Sequence, residues 1–384
     1  MLNSEDRYVG GVPYRRLKVL ISGGGIAGGT LAGLLARSGH QVTVVERDQG
    51  VRSSGNPVDV RGAAFDVVEQ LNIVSRLREV ATSVRRVVFV DTNGRPLATM
   101  ATRRSQDREL EVPRADLSAA LVDAARANAD FRFDDTIVGI RDDGRGVDIT
   151  FDRAAAERFD LVVGADGLHS RVRRLAFRPE AAYVTPLGMY VATVPLKLDL
   201  ERADTVLMFN EPGAATAVHP GAGKPGAAFM FRSSAPVDPG DADAAERLLS
   251  AVYGQAGWRA PELLAGYLSA TDTYFDTVCR VRVPRWSTGL VTLPGDAAPC
   301  ISLFGEGSSS AIQNAATLAE SLDASPRDIP AALTRYEAKH RPATRRGQRA
   351  APIGARLLIP TSRAGITIRN AALRLTSRRG QRFM

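Results

Sequence analysis

The sequence predicts an α/β fold of two domains, one built from strands and helices and one an inserted β-sheet domain, followed by a C-terminal helix. A strand, a glycine cluster and an amphipathic helix follow one another near the N-terminus. Residues 181–277 change to long β-rich runs separated by Gly and Pro. Residues 336–384 mix apolar residues and arginines at helical spacing. A chain of 384 residues is long enough for two sizeable cores.

The N-terminal unit begins with a buried strand at residues 17–22, continues as a helix at 26–38 and ends with a strand at 41–46. Leu31 and Leu35 lie on one face of that helix. A strand–helix–strand unit of this kind predicts the start of a Rossmann-like domain.

A GxGxxG motif joins the first strand to the helix. Gly23 permits the tight turn out of the strand, Gly25 lets the backbone approach a pyrophosphate, and Gly28 lets the helix pack closely on the sheet. The helix starts at Ile26 and Ala27, where free N–H groups and the positive dipole end would face the phosphates.

Glu46 ends the second strand, where its carboxylate can accept hydrogen bonds from both ribose hydroxyls of an adenosine. Together, the glycines and this acid predict a dinucleotide site. They do not separate FAD from NAD.

The later elements follow from the same patterns. Asn93-Gly94 predicts a hairpin turn, and Pro342, Pro352 and Pro360 predict interruptions of the C-terminal helical segments. Further predicted helices cover residues 63–80, 115–127 and 307–322, and further strands cover 85–90, 97–102, 136–141, 147–151, 159–164, 187–196, 204–209, 227–232 and 289–294.

These elements predict a division of the chain into interleaved domains. The nucleotide-binding domain takes residues 15–80, 104–180 and 278–335, the β-sheet domain takes 81–103 and 181–277, and a C-terminal helical segment takes 336–384. Apolar residues among the arginines predict that the last segment docks as a helix on both domains; they are Ile353, Leu357, Leu358, Ile366, Ile368 and Leu373.

Two later segments carry further motifs. Residues 160–173 read Asp-Leu-Val-Val-Gly-Ala-Asp-Gly-Leu-His-Ser-Arg-Val-Arg, and residues 290–298 read Leu-Val-Thr-Leu-Pro-Gly-Asp-Ala-Ala. With the GxGxxG motif and Glu46-Arg47, they resemble the three fingerprints of the p-hydroxybenzoate hydroxylase-like (group A) FAD-dependent monooxygenases. The chain length and the segment at residues 58–62 are similar to those of the small subtype, the tetracycline-inactivating flavin monooxygenases.

The resemblance implies an FAD site and assigns its residues. Asp166, with Ser170 and Arg173, would lie near the pyrophosphate and the approach of NAD(P)H, although a plain turn residue is the alternative for Asp166. Asp296 would hold the ribityl chain, and Arg114 would contact the flavin.

Asp59 would lie near the flavin edge, with a surface loop acid as its alternative. The helix beginning at residues 307–309 would direct its N-terminus at the pyrimidine edge of the flavin. The predicted cofactor-binding residues are Gly23, Gly25, Ile26, Ala27, Gly28, Glu46, Arg47, Asp59, Arg114, Asp166, Asp296, Gly307, Ser308 and Ser309.

By the same resemblance, the expected activity is hydroxylation of an aromatic or polycyclic small molecule in natural-product biosynthesis or antibiotic inactivation. NADPH or NADH would reduce the FAD, and a hydroperoxide at flavin position C4a would deliver one oxygen atom. No catalytic side chain is assigned. A same-fold protein using FAD without redox chemistry, for a cyclisation or isomerisation, is the alternative, and a ligand-binding regulator is a third.

The substrate pocket is expected between the flavin and the β-sheet domain. Candidate lining residues, each with ordinary core or loop packing as its alternative, are Met189, Phe209, His219, Met230, Phe231 and Leu303. The flavin loop departs from the family pattern at Pro299, Glu306 and Asn314. We expect Glu306 to face solvent or pair with an arginine, because an inward carboxylate would oppose an anionic reduced flavin.

Composition limits the partners. Residues 326–384 carry 14 Lys and Arg against 2 acids, so the net charge of +8 belongs to this tail. It lacks aromatic interleaving, which favours a solvated helical face over nucleic-acid binding. Cys279 and Cys300 form no disulfide or metal pattern, and no apolar run predicts membrane insertion or a signal peptide. We expect a cytoplasmic monomer or homodimer that binds a small molecule and no metal.

Overall fold

The structure, a computed structural model, describes residues 8–9, 12–13, 15–50, 57–102, 108–177, 179–197, 200–301 and 307–380. Its helices are α1 (Ile26–Arg37), α2 (Ala63–Gln70), α3 (Val74–Glu79), α4 (Arg114–Arg126), α5 (Arg171–Ala176), α6 (Ala242–Tyr253), α7 (Ala260–Ser269), α8 (Gly307–Asp323), α9 (Ile329–Leu358) and α10 (Arg363–Gly380).

The strands form two large sheets and three small ones. They are β1 (Tyr8–Val9), β2 (Val12–Pro13), β3 (Lys18–Ser22), β4 (Gln41–Glu46), β5 (Val58–Arg61), β6 (Arg86–Val90), β7 (Pro96–Ala101), β8 (Glu109–Val112), β9 (Asp130–Phe133), β10 (Ile137–Asp142), β11 (Val147–Phe151), β12 (Glu157–Phe159), β13 (Leu161–Gly164), β14 (Val184–Pro195), β15 (Thr205–Glu211), β16 (Ala214–His219), β17 (Gly226–Arg232), β18 (Tyr274–Arg282), β19 (Ser287–Thr288), β20 (Val291–Thr292) and β21 (Pro299–Ile301).

The first large sheet has the strand order β19-β20-β13-β3-β4-β9, and its strands run parallel except for the edge strand β19. Strand β3 is buried along nearly its whole length, as expected for a parallel strand covered on both faces. Helix α1 packs on β3 and β4 and contacts α4 and α8. The carboxyl ends of β3, β4 and β13 therefore lie side by side at one edge.

The second large sheet has the order β21-β18-β14-β17-β16-β15-β6-β7. One of its faces carries Met189, Met208 and Met230 in a common cluster, and we call it the methionine face. The opposite face carries Phe229 and Phe231, which pack with residues of α6 and α7. Because side chains alternate along a strand, each strand contributes to both faces.

The C-terminal helices cover part of the methionine face. Ala355 and Ile359 belong to its cluster, and the guanidinium of Arg369 lies 4.0 Å from the ring centroid of Phe89. Ile353 and Ile368, by contrast, are 64% and 70% exposed. Leu358 and Leu373, which also predicted docking, do pack on this cluster, so the docking uses some of the predicted residues and leaves others exposed.

Three local features differ from the sequence prediction. Helix α9 runs through Pro342 and Pro352, and its contacts with α8 and β21 offset the hydrogen bonds that proline removes. The helix predicted at residues 63–80 breaks into α2 and α3 at Asn72, which has φ 60°.

Helices α6 and α7 fall within residues 181–277, where only strands were assigned. The signal was present, since Asp241 caps α6 by accepting a hydrogen bond from the N–H of Ala244 at 2.9 Å. The α/β architecture, the inserted sheet and the helical C-terminus are nevertheless confirmed. The domain boundaries remain a prediction.

Candidate active site

The glycine loop after β3 leaves space in front of a helix N-terminus. Gly23 has φ 102°, and a Cβ there would lie 2.6 Å from the carbonyl oxygen of Ala165. A Cβ on Gly28 would overlap the carbonyl oxygen of Gly23, so both positions require glycine for close packing. A Cβ on Gly25 would meet nothing within 4 Å. Helix α1 begins behind that space at Ile26 and Ala27, with no side-chain cap and no acid in its first turn.

An uncapped N-terminus of this kind binds anions, because its N–H groups and the positive dipole end face outward. The open space at Gly25 is where a pyrophosphate would approach the backbone. The loop therefore fits the diphosphate of a dinucleotide.

Glu46 closes one side of this loop. Its Oε2 accepts a hydrogen bond from Gly24 N at 2.8 Å, and its Oε1 accepts one from Asp48 N at 3.1 Å. The carboxylate is partly buried at the end of β4, while neighbouring Arg47 is exposed. Glu46 is thus held beside the glycines, with accepting capacity left on both oxygens.

Asp166 follows the end of strand β13, where it caps helix α5. One of its carboxylate oxygens accepts from the Ser170 hydroxyl, and the other accepts from Arg171 N at 2.8 Å and Val172 N at 3.0 Å. These partners belong to its own turn and helix, as the turn-residue alternative expects. Asp166 fixes the loop beside Gly23 through the adjacent Ala165.

The buried side chain of Arg173 joins two motifs. Its Nη1 donates to the carbonyl oxygen of Ala297 at 2.8 Å, and its Nη2 donates to that of Leu168 at 2.7 Å. Nη2 also lies 3.0 Å from Glu180 Oε1. Burial lowers the pKa of Arg173, and the charge of Glu180 opposes this. Arg173 therefore ties the loop after β13 to the loop after β20 instead of facing a ligand.

Gly295 and Asp296 begin a 3-10 turn after β20. Gly295 has φ 59°, and a Cβ there would lie 3.0 Å from Ala27 Cβ in helix α1. A Cβ on Gly307, the first residue of α8, would lie 3.9 Å from Asp296 Oδ1. The two helix N-termini and Asp296 therefore share one neighbourhood. We call the residues Gly23–Gly28, Glu46, Asp166 and Gly295-Asp296 the cofactor edge.

The first turn of α8 is anchored to β5. The hydroxyls of Ser308 and Ser309 donate to the carbonyl oxygen of Asp59 at 2.7 and 2.8 Å, and Arg61 N donates to the Ser309 hydroxyl at 3.1 Å. The structure thus places the backbone carbonyl of Asp59 against this helix. The direction of the α8 N-terminus is set by these bonds.

Arg114 stands at the exposed start of α4, close enough to the cofactor edge for its charge to act there. Burial, with the negative charge of Asp296, raises the pKa of Cys300, and Arg114 opposes this shift. Arg114 and Asp296 also act in opposite directions on the pKa of Tyr274. The charges of Arg114 and Asp296 therefore both act on Tyr274 and Cys300.

The substrate candidates separate onto two faces of the second sheet. Met189 and Met230 lie on the methionine face. Phe231 meets Tyr253 of α6 edge to face, and Phe209 lies against Trp258, so both rings belong to the opposite side. Met189 and Met230 are themselves buried in a hydrophobic cluster, so their role as pocket residues stays a prediction.

His219 is the last residue of β16. It follows Val218, whose side chain lies on the face opposite the methionine face, so the alternation along the strand places His219 on the methionine side. Its Nδ1 accepts a hydrogen bond from Gly221 N at 2.9 Å, so the proton of a neutral ring lies on Nε2. That atom is 3.4 Å from Glu111 Oε2. Leu303 and Glu306, also assigned to the site from sequence, lie outside the described residues.

A family model described as an FAD binding domain matches residues 16–351. The chain belongs to this family. It is accordingly an FAD-binding flavoprotein, and the cofactor edge fits the dinucleotide part of FAD through the uncapped α1 and the open space at Gly25.

Curated relatives and solved structures agree. An uncharacterized protein of Mycobacterium tuberculosis is 38% identical over 84% of this chain and 89% of its own. A flavin-dependent monooxygenase of Legionella longbeachae is 30% identical over 84% and 85%. The tetracycline destructase Tet(51) has a TM-score of 0.81 at 27% identity, covering 94% of this chain and 96% of that one, and Tet(55) has 0.77 at 30%, covering 86% of each.

The flavoprotein is therefore an FAD-dependent oxidoreductase of the flavin-dependent monooxygenase family. Within the described part of the chain, no group of three or more His, Cys, Asp or Glu side chains could hold a metal ion. Over the same residues, no helix is long and apolar enough to cross a membrane.

One cluster of this flavoprotein was not predicted from the sequence. His169 Nε2 lies 3.2 Å from both carboxylate oxygens of Asp276, and the Tyr274 hydroxyl donates to Asp276 Oδ2 at 3.1 Å. The available signal was the period of two in β18, which puts Tyr274 and Asp276 on one face and Phe275 on the other. His169 comes from the loop after β13, so only the tertiary fold brings it there.

Proposed function

We propose that this flavoprotein is a monooxygenase that uses NADPH or NADH and oxygen to hydroxylate an aromatic or polycyclic small molecule. One observation carries the proposal: the apolar methionine face ends, on its cofactor side, in a polar group of side chains. Met230 pairs across the sheet with Val191, and Val191 pairs with Asp276. Residues directly opposite each other on paired strands share a face of the sheet. This row of three residues therefore begins with the thioether of Met230 and ends with the carboxylate of Asp276.

A flat apolar molecule fits such a face, because pockets for small molecules combine apolar walls with a few placed polar groups. The relatives named as flavin-dependent monooxygenases and the fold shared with tetracycline destructases support this substrate class and a setting in natural-product synthesis or antibiotic inactivation.

When bound, FAD supplies the redox chemistry and the reaction with oxygen. The protein supplies binding and electrostatics. The backbone at Gly25 and the start of α1 bind the diphosphate, and Glu46 binds the adenosine ribose. Ser308 and Ser309 hold the first turn of α8 on β5, so that the positive end of its dipole favours negative charge on the flavin by about 0.3–1 kcal/mol.

Polar side chains at the edge of the methionine face orient the substrate. His219, whose tautomer is set by Gly221 N–H at 2.9 Å, lies at this edge with its Nε2 3.4 Å from Glu111 Oε2. Arg114 supplies a positive charge near Tyr274. The buried sheet behind these groups excludes water from the reacting carbon.

The test is oxygen-isotope incorporation. The holoenzyme is given NADPH or NADH, ¹⁸O₂ and a panel of aromatic and polycyclic metabolites, and products are analysed by mass spectrometry. We expect one ¹⁸O atom in a hydroxylated product and substrate-stimulated nicotinamide oxidation. Conversion that continues anaerobically with oxidised FAD and no nicotinamide would contradict the proposal and support non-redox use of FAD.

A further inference from the structure

Three side chains form a hydrogen-bonded chain from the methionine face to the surface. Tyr274 Oη lies 3.1 Å from Asp276 Oδ2, and both Asp276 oxygens lie 3.2 Å from His169 Nε2. Asp276 Oδ1 also accepts from Thr277 N at 2.7 Å. The side chain of Asp276 is 10% exposed and that of His169 is 46% exposed. The carboxylate is therefore enclosed by donors, while the imidazole reaches solvent.

Tyr274 stands at the end of this chain that meets the methionine face. It pairs with Thr193 of β14 and packs on the methionine-face cluster. Its hydroxyl lies within the electrostatic influence of Arg114 and Asp296. The residue thus borders both the methionine face and the cofactor edge.

The single phenolic proton of Tyr274 is already used. A carboxylate accepts hydrogen bonds and donates none, so the tyrosine must be the donor in the pair with Asp276. Burial, followed by the negative charge of Asp276, raises the pKa of Tyr274, and the phenol keeps this proton at working pH. The hydroxyl oxygen can then only accept a hydrogen bond from any other partner.

We propose that Tyr274 is a specificity-determining residue that recognises a hydroxyl group of the substrate as a hydrogen-bond donor, and that Asp276 and His169 hold it in this accepting role. The inference rests on the proposed function, since it names a feature of the substrate of that same site. A phenol or enol satisfies the tyrosine oxygen. A methyl ether presents only lone pairs to it and leaves a buried acceptor unpaired.

Two variants change the hydrogen-bond donors and acceptors at Tyr274. In Tyr274→Phe the ring packing remains and the acceptor is lost. In Asp276→Asn the side-chain amide can donate to the tyrosine oxygen, which frees the phenolic proton for an ether oxygen. Tyr190→Phe is the matched control, because its hydroxyl donates to Ala235 O at 2.7 Å and its ring packs on the opposite face.

The experiment measures binding of paired probes to oxidised holoenzyme by perturbation of the flavin spectrum, with 1-naphthol and 1-methoxynaphthalene as one pair. We expect the wild type and Tyr190→Phe to prefer the naphthol by about 10- to 100-fold. In Tyr274→Phe this preference falls to within about threefold, and in Asp276→Asn it shifts at least tenfold toward the ether. An unchanged preference in Tyr274→Phe, or a wild type that prefers the ether, would overturn the inference. No turnover is needed, so failure to incorporate ¹⁸O would count against the proposed function alone.

Discussion

The cofactor edge and the methionine face are built in different ways. At the cofactor edge the ligand-facing groups are mainly backbone, set by glycines and by the start of α1. On the methionine face, where we propose that the substrate binds, they are side chains, and strand pairing decides which of them meet. A binding site formed by backbone groups is encoded by a short sequence motif, whereas a site formed by side chains depends on the register of several strands. The first region therefore carries its function in local sequence and the second does not.

The sharpest way to separate fold from cofactor binding is Gly25→Ala. A Cβ there meets nothing in the protein within 4 Å but would enter the space reserved for the diphosphate. We expect the apoprotein to keep its melting temperature and its FAD affinity to fall on the order of 100-fold, equivalent to about 2.8 kcal/mol.

The control for that variant is Gly266→Ala in α7, where a Cβ is equally free of contacts. It should leave the FAD dissociation constant unchanged and stabilise the helix by up to about 1 kcal/mol. Equal FAD affinity in both variants, measured by titration of the apoproteins, would show that the diphosphate lies elsewhere.

A second variant tests the link between the two loops of the cofactor edge. Arg173→Met removes the donors to Ala297 O and Leu168 O while keeping most of the buried volume. We expect a loss of about 3 kcal/mol in the free energy of unfolding, because buried acceptors lose their partners. Urea denaturation measures this.

Arg174→Met is the matched control, since Arg174 also bonds Glu180 but its side chain is 41% exposed. Its effect should stay below about 1 kcal/mol. Similar losses in the two variants would mean that the ion pairs with Glu180, and not the loop carbonyls, matter.

The smallest expected effect concerns pH and the contact between His169 and Asp276. The hydrogen bond with Asp276 raises the pKa of His169 above 6.5, and burial opposes the shift. The charged groups around the ring are Asp276 of β18, Arg173 of α5, and Glu180, which follows α5. A raised folded pKa means that the imidazolium adds stability below pH 6.5 and that this stability is lost as the pH rises through the folded value.

The difference in the free energy of unfolding between the wild type and His169→Gln should therefore shrink as the pH rises above about 6.5, and it should stay below about 1 kcal/mol because His169 is about half exposed. In an Asp276→Asn background the pH dependence should become smaller, with the remainder due to Glu180. A difference that grows with rising pH would show that His169 binds its proton less tightly in the folded chain.

The same difference between the two regions explains which features could be predicted from the sequence. The GxGxxG loop, Glu46 and Gly295-Asp296 were predicted because each role depends on a few consecutive residues. The chain of Tyr274, Asp276 and His169 was not, because its members meet only through the pairing of β14 with β18 and the loop after β13. Phe209 and Phe231 were assigned to the pocket by residue type, and only the sheet shows that Phe231 faces α6 and that Phe209 faces Trp258 in the loop between α6 and α7. Helix α9 was expected to break at prolines that tertiary packing tolerates.

The central claim is that the cofactor edge binds a flavin dinucleotide through its adenosine diphosphate half. The most direct measurement is the dissociation constant of the apoprotein for FAD and for FMN, in the wild type and in Glu46→Ala. We predict that the wild type prefers FAD by at least about 100-fold, and that Glu46→Ala weakens FAD by about 1–3 kcal/mol while leaving FMN unchanged. Equal affinity of the wild type for FAD and FMN, or an equal loss for both in Glu46→Ala, would contradict the account.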